Sequence, residues 1–296
     1  MFKCGFVSVL GRPNVGKSTL INSFMGMTLS IVSNKPQTTR KNARMMLTTD
    51  DYQMIFIDTP GLHDPKSKLA EQMVSRAKAS VKEVDVIVLM VDARETAFHE
   101  SDIEILEVVR KKKIPVILVV NKVDMVTKEK LLPFISKAAS AYSFAAIVPV
   151  SAIQGEGPKL ILPEILALLP QGEALYPEEV ITDQTERQIA AETIREKALK
   201  MLDKEIPHGI EVEIERFKYM EKKELYEVYA TIYCEKESHK KIVIGKNGEV
   251  LKRIGSSARI DIEKMLDAKV YLNLWVKVKT DWRNDAAMLR RMGYFE

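Results

Sequence analysis

Cysteine is scarce in this chain of 296 residues, which contains only Cys4 and Cys234. Two thiols so far apart in sequence give no disulfide framework and favour a reducing compartment. The four histidines are scattered, and together with the two cysteines they match no zinc-ligand spacing. The sequence therefore predicts neither a disulfide-stabilised domain nor a zinc protein.

Long apolar runs are also missing, since no segment approaches the roughly 18 residues that a membrane-spanning helix requires. Residues 1–3 lead directly into a strand-like pattern, so we expect no secretory signal. The composition, 46% apolar and 29% charged, is typical of a soluble globular protein. A chain of 296 residues is long enough for two domains, each with its own core, and we expect two.

The net charge of +4 is too small to indicate a nucleic-acid partner by itself. Its local distribution is more informative, because residues 239–260 contain one acid, Glu249, and a cluster of cations. These cations are Lys240, Lys241, Lys246, Lys252, Arg253 and Arg259. Such a cluster can bind a polyanion, although a solvated helix face is the simpler explanation of a charge run taken alone.

The most specific motif is G-x-x-x-x-G-K-[ST] at residues 11–18, between an apolar run and a helix-like segment that starts near Lys17. The glycines let backbone N–H groups converge on one anion, and the following helix adds the positive end of its dipole. Lys17 would then reach the outer phosphates, and the Ser18 hydroxyl would ligate a bridging Mg²⁺. The predicted phosphate-site residues are Gly11, Arg12, Pro13, Asn14, Val15, Gly16, Lys17, Ser18 and Thr19.

Strand-like and helix-like segments alternate through the first 150 residues. Apolar runs occur at 6–10, 54–57, 86–91, 116–120 and 147–150. Most are too continuously apolar to have a face in water, which indicates a sheet covered on both sides. Residues 101–104 fit a capping box that opens a helix ending before Pro115, and a second helix is predicted over 128–142. The alternation predicts a doubly wound, mainly parallel α/β sheet with its ligand crevice at the carboxyl ends of the strands.

A second motif, D-T-P-G at residues 58–61, lies at one of those strand ends. Asp58 can hold Mg²⁺ through water, and the Gly61 N–H can contact a terminal phosphate. Thr59 and Pro60 complete the motif.

Upstream, the polar stretch at 33–42 contains Gln37, Thr38, Thr39 and Arg40. A threonine hydroxyl there can complete the metal's coordination and order the segment only when the third phosphate is present. We expect Thr39 rather than Thr38 in this role, and an ordinary surface loop is the alternative. The predicted metal ligands are Ser18, Thr39 and, through water, Asp58, and the predicted catalytic residues are Lys17, Thr39 and Gly61.

The motif N-K-V-D at residues 121–124 follows the next buried strand and predicts which base is bound. The Asp124 carboxylate can accept two hydrogen bonds from the N1–H and exocyclic amine of guanine, a donor pair that adenine lacks. Lys122 would lie along the base, and the backbone at residues 151–152 would donate to the guanine oxygen. The predicted base-site residues are Asn121, Lys122, Asp124, Ser151 and Ala152.

A second domain follows a linker. Residues 186–204 predict a helix, and three segments around 210–214, 228–234 and 270–278 alternate apolar and polar residues, as half-buried strands do. Helices should therefore cover only one face of this sheet.

Between the second and third of these strands lies G-x-x-G at residues 245–248, with helix-like segments on both sides. Two glycines allow close approach of a sugar-phosphate chain in a groove about four nucleotides long. By itself this motif is most often a helix C-cap, but the element order and the cations favour an RNA-binding KH module. The predicted RNA contacts are Lys240, Lys241, Gly245, Lys246, Asn247, Gly248, Lys252 and Arg253. Trp275 and Trp282 can either stack on bases or pack in the core.

With these residues in view, the chain resembles the translation-factor-like GTPases and, more narrowly, the bacterial Era family. The resemblance rests on GRPNVGKS, QTTR, DTPGLH, NKVD and SA in the first domain and on the pattern of the second. It implies a doubly wound P-loop GTPase domain at 1–171, a linker at 172–184, a smaller α+β type II KH domain at 185–280 and a tail at 281–296.

The same resemblance implies a function. It implies Mg²⁺-dependent GTP hydrolysis and binding to the 3′ end of 16S rRNA in small-subunit assembly, with the GTP or GDP state switching RNA binding and release. It also implies a cytoplasmic monomer. Peripheral contact with the inner face of the cell membrane is a further property that the family allows, but no amphipathic basic helix in this sequence indicates it.

Two positions qualify this expectation. Many small GTPases carry a water-orienting glutamine after D-x-x-G, whereas this chain has Leu62, so another group positions the water or hydrolysis awaits a partner. Asn14 is the position that helps to seat K⁺ in some related GTPases. Two rival hypotheses are a binding module with negligible turnover, which Leu62 leaves open, and a P-loop kinase, against which Asp58 and Asp124 argue.

Overall fold

The protein is described by a computed structural model that covers residues 1–33, 35, 38–61, 67–80, 84–203 and 206–295. The chain divides into two compact units. The first contains Met1–Ser30, Thr39–Lys66 and Ala70–Asp183, and the second contains Ile31–Thr38, Ser67–Leu69 and Gln184–Glu296. Among the described residues, no helix combines the length and apolar character needed to cross a membrane.

In the described residues, the first unit contains a six-stranded sheet of order β2-β3-β1-β4-β5-β6. Its strands are β1 Lys3–Leu10, β2 Ala43–Thr48, β3 Tyr52–Asp58, β4 Val86–Asp92, β5 Val116–Asn121 and β6 Ala146–Val150. The helices along this part of the chain are α1 Lys17–Met25, α2 Lys68–Ser80, α3 Glu100–Lys112, α4 Lys128–Ala141 and α5 Gly157–Leu168. All strand pairs are parallel except β2 with β3, which confirms the predicted doubly wound, mainly parallel fold.

Both faces of this sheet are buried. Along β4, Val88 and Met90 belong to one hydrophobic cluster, together with residues of α1 and α5. Ile87 and Leu89 belong to a second cluster, with residues of α3 and α4. Because successive side chains of a strand point to opposite faces, a strand covered on both sides is apolar throughout. The continuous apolar runs in the sequence have this cause.

Two local features differ from the sequence predictions. Strand β2 was not predicted, because Met45 and Met46 are both buried and the segment shows no simple alternation. Helix α3 begins at Glu100 rather than within the predicted capping box at 101–104. His99 is the N-cap residue of α3. Its backbone N–H donates to Asp102 Oδ2 at 3.1 Å, so the Asp102 side chain completes a capping box at 99–102.

The segment predicted as a linker, 172–184, makes specific contacts with the first unit up to Asp183. The buried Gln53 side chain accepts hydrogen bonds from the backbone N–H groups of Leu175 and Tyr176, at 2.8 and 3.0 Å. The Met46 N–H donates to the Ile181 carbonyl at 3.0 Å. The polar, proline-containing composition gave no sign of these contacts, since their partners lie far away in sequence.

The second unit has the predicted order helix, strand, strand, helix, helix, strand. Its elements are α6 Glu186–Met201, β7 Glu211–Met220, β8 Leu225–Cys234, α7 Glu237–Ile244, α8 Glu249–Leu266, β9 Lys269–Val278 and a short terminal helix, α9 Ala286–Arg291. The sheet order is β7-β8-β9, with β7 antiparallel and β9 parallel to β8. Apolar residues of α6 and α8, such as Ile194 and Ile262, pack with Ala230 and Ile232 of β8.

Residues 31–38 also belong to the second unit. Ile31 lies in its hydrophobic core, and the Val32 N–H donates to Glu196 Oε1 at 3.1 Å. The guanidinium of the fully buried Arg195 donates to the carbonyl oxygen of Thr38. The buried face of α6 therefore combines apolar residues, such as Ala190 and Ala198, with two charged residues that bind backbone groups.

Candidate functional site

The predicted phosphate loop follows β1 and leads into α1. Lys17 is buried, and its ammonium group donates to the carbonyl oxygens of Gly11 and Arg12, each at 2.9 Å. Burial lowers the pKa of Lys17 to about 8, although nearby Asp58 and Asp102 oppose this shift. A phosphate group at this position would therefore stabilise a cation that burial destabilises.

Two glycines of the loop are required by close packing as well as by backbone conformation. Gly16 has φ +107°, and a Cβ atom there would lie 2.2 Å from Asn121 Nδ2. Gly11 has φ +141°, and a Cβ atom there would lie 2.3 Å from the Met90 carbonyl oxygen. No other residue type fits either position without displacing its neighbours.

The three predicted metal ligands lie together. Ser18 Oγ is 3.1 Å from Thr39 Oγ1 and donates to Asp58 Oδ2 at 3.2 Å, and Thr39 Oγ1 donates to the same oxygen at 3.4 Å. Asp58 is 1% exposed, and its Oδ1 atom has no hydrogen-bond partner among the described residues. Burial raises the pKa of Asp58, while hydrogen bonds from Ser30 and Ser18 and the charge of Lys17 oppose the rise.

This arrangement fits Mg²⁺. Two hydroxyl oxygens and a buried carboxylate with a free lone-pair oxygen are hard oxygen donors of the kind that Mg²⁺ prefers, either directly or through water. When bound, the ion would neutralise negative charge on the outer phosphates. Ser18 and Thr39 would supply hydroxyl ligands, and Asp58 would hold the water shell.

Ser30 also belongs to this site, although the sequence did not predict it. Its hydroxyl donates to Asp58 Oδ2 at 2.6 Å. Asn22 of α1 fixes the backbone of Ser30: its side-chain oxygen accepts from the Ser30 N–H at 2.9 Å, and its side-chain nitrogen donates to the Ser30 carbonyl at 2.7 Å. No motif connects these residues, so the sequence carried no signal for them.

The geometry favours Thr39 over Thr38 as the metal ligand, because the Thr38 hydroxyl donates instead to the Lys35 carbonyl at 2.6 Å. We therefore expect Thr39→Ala to slow Mg²⁺-dependent GTP hydrolysis by about tenfold or more, since it removes an oxygen donor from the metal site. Thr38→Ala is the matched control, with little expected effect. Phosphate release over a Mg²⁺ titration tests the assignment, and a larger defect in Thr38→Ala would contradict it.

The predicted base site is assembled around Asn121. Its side chain donates to the Val15 carbonyl at 2.7 Å and accepts from the Ala152 N–H at 2.9 Å, which ties the phosphate loop to the end of β6. Asp124 is exposed and accepts from the Ser151 hydroxyl at 2.6 Å through one carboxylate oxygen. The Asp124 carboxylate thus remains accessible to the paired donors of guanine.

Lys122 is held in place by two partners. It donates to the Asn14 carbonyl at 2.6 Å and forms an ion pair with Asp92 at 2.9 Å. Asp92, at the end of β4, was not predicted. Burial favours its neutral form, but hydrogen bonds from Arg94 and Lys122 outweigh this and hold the pKa of Asp92 well below its usual range. Asp92 is therefore an anion that positions the lysine beside the base site.

The remaining predicted nucleotide-site residues have varied surroundings. Arg12 forms an ion pair with Glu95, and Thr59 is buried with its hydroxyl donating to the Val9 carbonyl at 2.8 Å. A Cβ atom on Gly61 would lie 2.8 Å from the Pro13 nitrogen, so the D-T-P-G motif contacts the phosphate loop. Gln37 and Leu62 lie outside the described residues.

The second unit contains a groove of about 430 Å³ between α8 and β9. Its lining includes Gly248, Lys252 and Arg259 on the helix side and Asn273 on the strand side. Gly248 and Lys252 were predicted RNA contacts, whereas Asn273 was not and Arg259 was noted only as a member of the cation cluster. Other predicted contacts are not among the described residues that line this groove: Lys240, Lys241, Gly245, Lys246, Asn247 and Arg253.

The first unit is a P-loop GTPase. It carries a phosphate loop, three magnesium ligands and an N-K-x-D base site at the strand ends of a doubly wound sheet. The second unit is a KH-like α+β unit.

A family model described as 50S ribosome-binding GTPase matches residues 6–122, and a KH domain model matches residues 205–283. GTPase Era of Ruminiclostridium cellulolyticum is 51% identical over 293 residues, which cover 99% of this chain and 98% of that protein. GTPase Era of Clostridium acetobutylicum is 50% identical over 294 residues, with coverage of 99% and 98%.

The chain belongs to the GTPase Era family, and it is accordingly an enzyme that hydrolyses GTP. Two solved structures are similar over their whole length. Era in complex with MgGDPNP and nucleotides 1506–1542 of 16S ribosomal RNA has a TM-score of 0.95 and 39% identity, with all of both chains covered. A single-residue variant of Aquifex aeolicus Era bound to GDP and AlF₄⁻ has a TM-score of 0.95 and 40% identity, with 99% and 100% covered. The predicted family, fold class and enzymatic activity are confirmed.

Proposed function

We propose that this GTPase binds the 3′ end of 16S rRNA during assembly of the small ribosomal subunit. The observation that carries the proposal is the α8–β9 groove, which combines the open backbone at Gly248 with Lys252 and Arg259. A backbone without side chains beside two cations suits a sugar-phosphate chain. The solved Era complex supports the choice of RNA, since it contains nucleotides 1506–1542 of 16S ribosomal RNA.

We also propose that the nucleotide state switches RNA binding and release. Support comes from residues 31–38, which belong to the second unit and directly precede the magnesium ligand Thr39 in sequence. Their contacts with Arg195 and Glu196 attach them to α6. Loss of the third phosphate would release Thr39 from the metal and thereby alter this segment.

The test is a comparison of RNA affinity in three states: with a non-hydrolysable GTP analogue, with GDP and without nucleotide. The RNA is the 3′ end of 16S rRNA, and a scrambled RNA of equal length is the control. We expect the 3′-end RNA to bind in preference to the scrambled RNA, with an affinity that differs between the analogue and GDP. Equal RNA affinities in the three states would contradict the proposal that nucleotide switches RNA binding. Equal affinities for the two RNAs would contradict the proposed specificity for the 3′ end of 16S rRNA.

Several finer expectations stay predictions: a K⁺ site at Asn14, a monomeric state, and a cytoplasmic location with peripheral membrane contact. The identity of the group that positions the attacking water, in place of a glutamine, also stays a prediction. We propose that docking on the small subunit supplies or orders this group. Phosphate release measured with and without subunits tests this, because a subunit-independent rate would assign the role to the chain itself.

A further inference from the structure

The sheet of the second unit has a second face, which the helices α6 and α8 do not cover. On β8, Ala230 and Ile232 point into the core, so the intervening Thr231 and the neighbouring Tyr229 lie on the opposite face. The strand register places Trp275 beside Thr231 and Tyr271 beside Glu227 on that same face. We call this surface, with Tyr229, Tyr271 and Trp275, the aromatic face.

Two of these rings are far more exposed than aromatic side chains usually are. Trp275 is 56% exposed and Tyr271 is 50% exposed. Tyr229 supports Tyr271 with an edge contact, at 6.1 Å between ring centroids, and the Arg216 guanidinium lies 5.7 Å from the centre of the Tyr229 ring. The other tryptophan, Trp282, is fully buried and donates to the Gly209 carbonyl at 2.9 Å. The sequence allowed each tryptophan either to pack in the core or to stack on bases. Trp282 packs in the core, whereas the Trp275 ring is exposed.

The described C-terminal residues contact the β7 side of this face. Tyr294 donates to Glu211 Oε2 at 2.6 Å, and Arg291 contacts Glu213 and the ring of Tyr233. These contacts lie on β7 and at the end of β8, whereas both exposed rings lie on β9, at the opposite edge of the sheet. The fold thus covers one part of the face and leaves the aromatic part in solvent.

The aromatic face is continuous with the RNA groove. β9 is an edge strand of the sheet, and Asn273, which lines the groove, lies between Tyr271 and Trp275 in sequence. A KH groove holds about four nucleotides. A longer single strand that leaves the groove across β9 would meet these two rings next.

The charges on this face are compatible with RNA. Glu215 and Glu227 each form an ion pair, with Lys277 and Arg216 respectively, both at 3.0 Å. Glu213, on the same face, forms an ion pair with Arg291, also at 3.0 Å. Lys269, exposed at the start of β9, has no ion pair among the described residues. A phosphate chain on this face would therefore meet paired acids and an available cation.

We propose that Tyr271 and Trp275 stack on bases of the single-stranded RNA that extends beyond the KH groove. This inference rests on the proposed RNA-binding function and deepens it. Bases stack on exposed aromatic rings with little dependence on sequence, and RNA-binding modules use such rings on the open face of a sheet. The groove then holds the first nucleotides, and the aromatic face lengthens the bound segment.

The first test compares two RNAs, a tetranucleotide that fills the groove and a strand on the order of ten nucleotides that extends it. Trp275→Ala is expected to weaken binding of the longer RNA by about 5- to 100-fold and to leave the tetranucleotide unaffected. Trp275→Phe, which keeps a ring, should restore most of the affinity. Tyr219→Ala is the matched control, because Tyr219 is 44% exposed but pairs with Tyr226 on the helix side of the sheet.

The second test uses intrinsic fluorescence. The chain has two tryptophans, and since Trp282 is buried, quenching by RNA reports on Trp275. We expect quenching with the longer RNA and little with the tetranucleotide. The stacking inference is overturned if Trp275→Ala binds the longer RNA as tightly as the wild type and the wild type shows no quenching. The aromatic face would then be assigned to binding a protein partner. Failure of the wild-type protein to bind either RNA would instead remove the proposed function itself.

Discussion

Replacing Lys17 with alanine is expected to weaken GTP and GDP binding by about 30-fold or more, because losing one partner of a buried charge pair costs about 2–5 kcal/mol. Among the described residues, the Lys17 ammonium donates to the carbonyl oxygens of Gly11 and Arg12, and burial lowers its pKa to about 8. The phosphates would therefore be an anionic partner that stabilises this buried cation. Equilibrium titration with a fluorescent guanine nucleotide measures the loss.

The control is Lys111→Ala, which removes an equal charge from an exposed position in the last turn of α3. It should bind nucleotide as the wild type does. RNA affinity of the Lys17→Ala protein is expected to equal that of the nucleotide-free wild type, since the groove belongs to the other unit. Near-normal nucleotide affinity in Lys17→Ala would contradict the assignment of the phosphate loop.

The parts of the nucleotide site that the sequence predicted are those whose geometry is set by a short stretch of backbone. The phosphate loop, D-T-P-G and N-K-x-D each follow a buried strand, and the parallel strands bring their carboxyl ends to one edge. Spacing within each motif then determines which atoms face the ligand. Ser18 and Asp58 lie together for this reason, whereas Thr39 comes from the polar stretch that precedes β2.

The parts that the sequence missed depend on packing between distant segments. Ser30 bonds to Asp58 and Asp92 holds Lys122, yet neither lies at a fixed spacing from its partner. Strand β2 escaped prediction because Met45 and Met46 are both buried, which hides the alternation of an edge strand. The RNA groove was predicted only in part. Its G-x-x-G side is a local motif, whereas Asn273 joins it through the pairing of β9 with β8.

Replacing Gly248 with aspartate is expected to reduce RNA affinity by about tenfold or more, because a carboxylate in the groove repels the phosphate chain. Gly248 lines the groove, and a Cβ atom there meets nothing within 4 Å, so the added side chain has room. GTP binding and hydrolysis without RNA should be unchanged. Binding of a labelled 3′-end RNA and phosphate release are the two measurements.

Gly248→Asn is the control that isolates charge from backbone conformation. Gly248 has φ +79°, a conformation that asparagine and aspartate tolerate better than most residues, and the two side chains have nearly the same shape. Asparagine should therefore retain most of the RNA affinity that aspartate removes. Equal losses in the two variants would mean that the backbone, rather than the phosphate chain, sets the requirement for glycine at this position.

Gly245, the other glycine of the motif, cannot serve the same test. It has φ +76°, and a Cβ atom there would lie 2.5 Å from Val250 Cγ2 and 2.9 Å from the Val250 nitrogen. A substitution would displace the first turn of α8, and loss of RNA binding would then report a local packing defect. Gly245 lets α7 and α8 approach each other, and Gly248 leaves the groove open. A selective loss of RNA binding is therefore expected from aspartate at Gly248 alone.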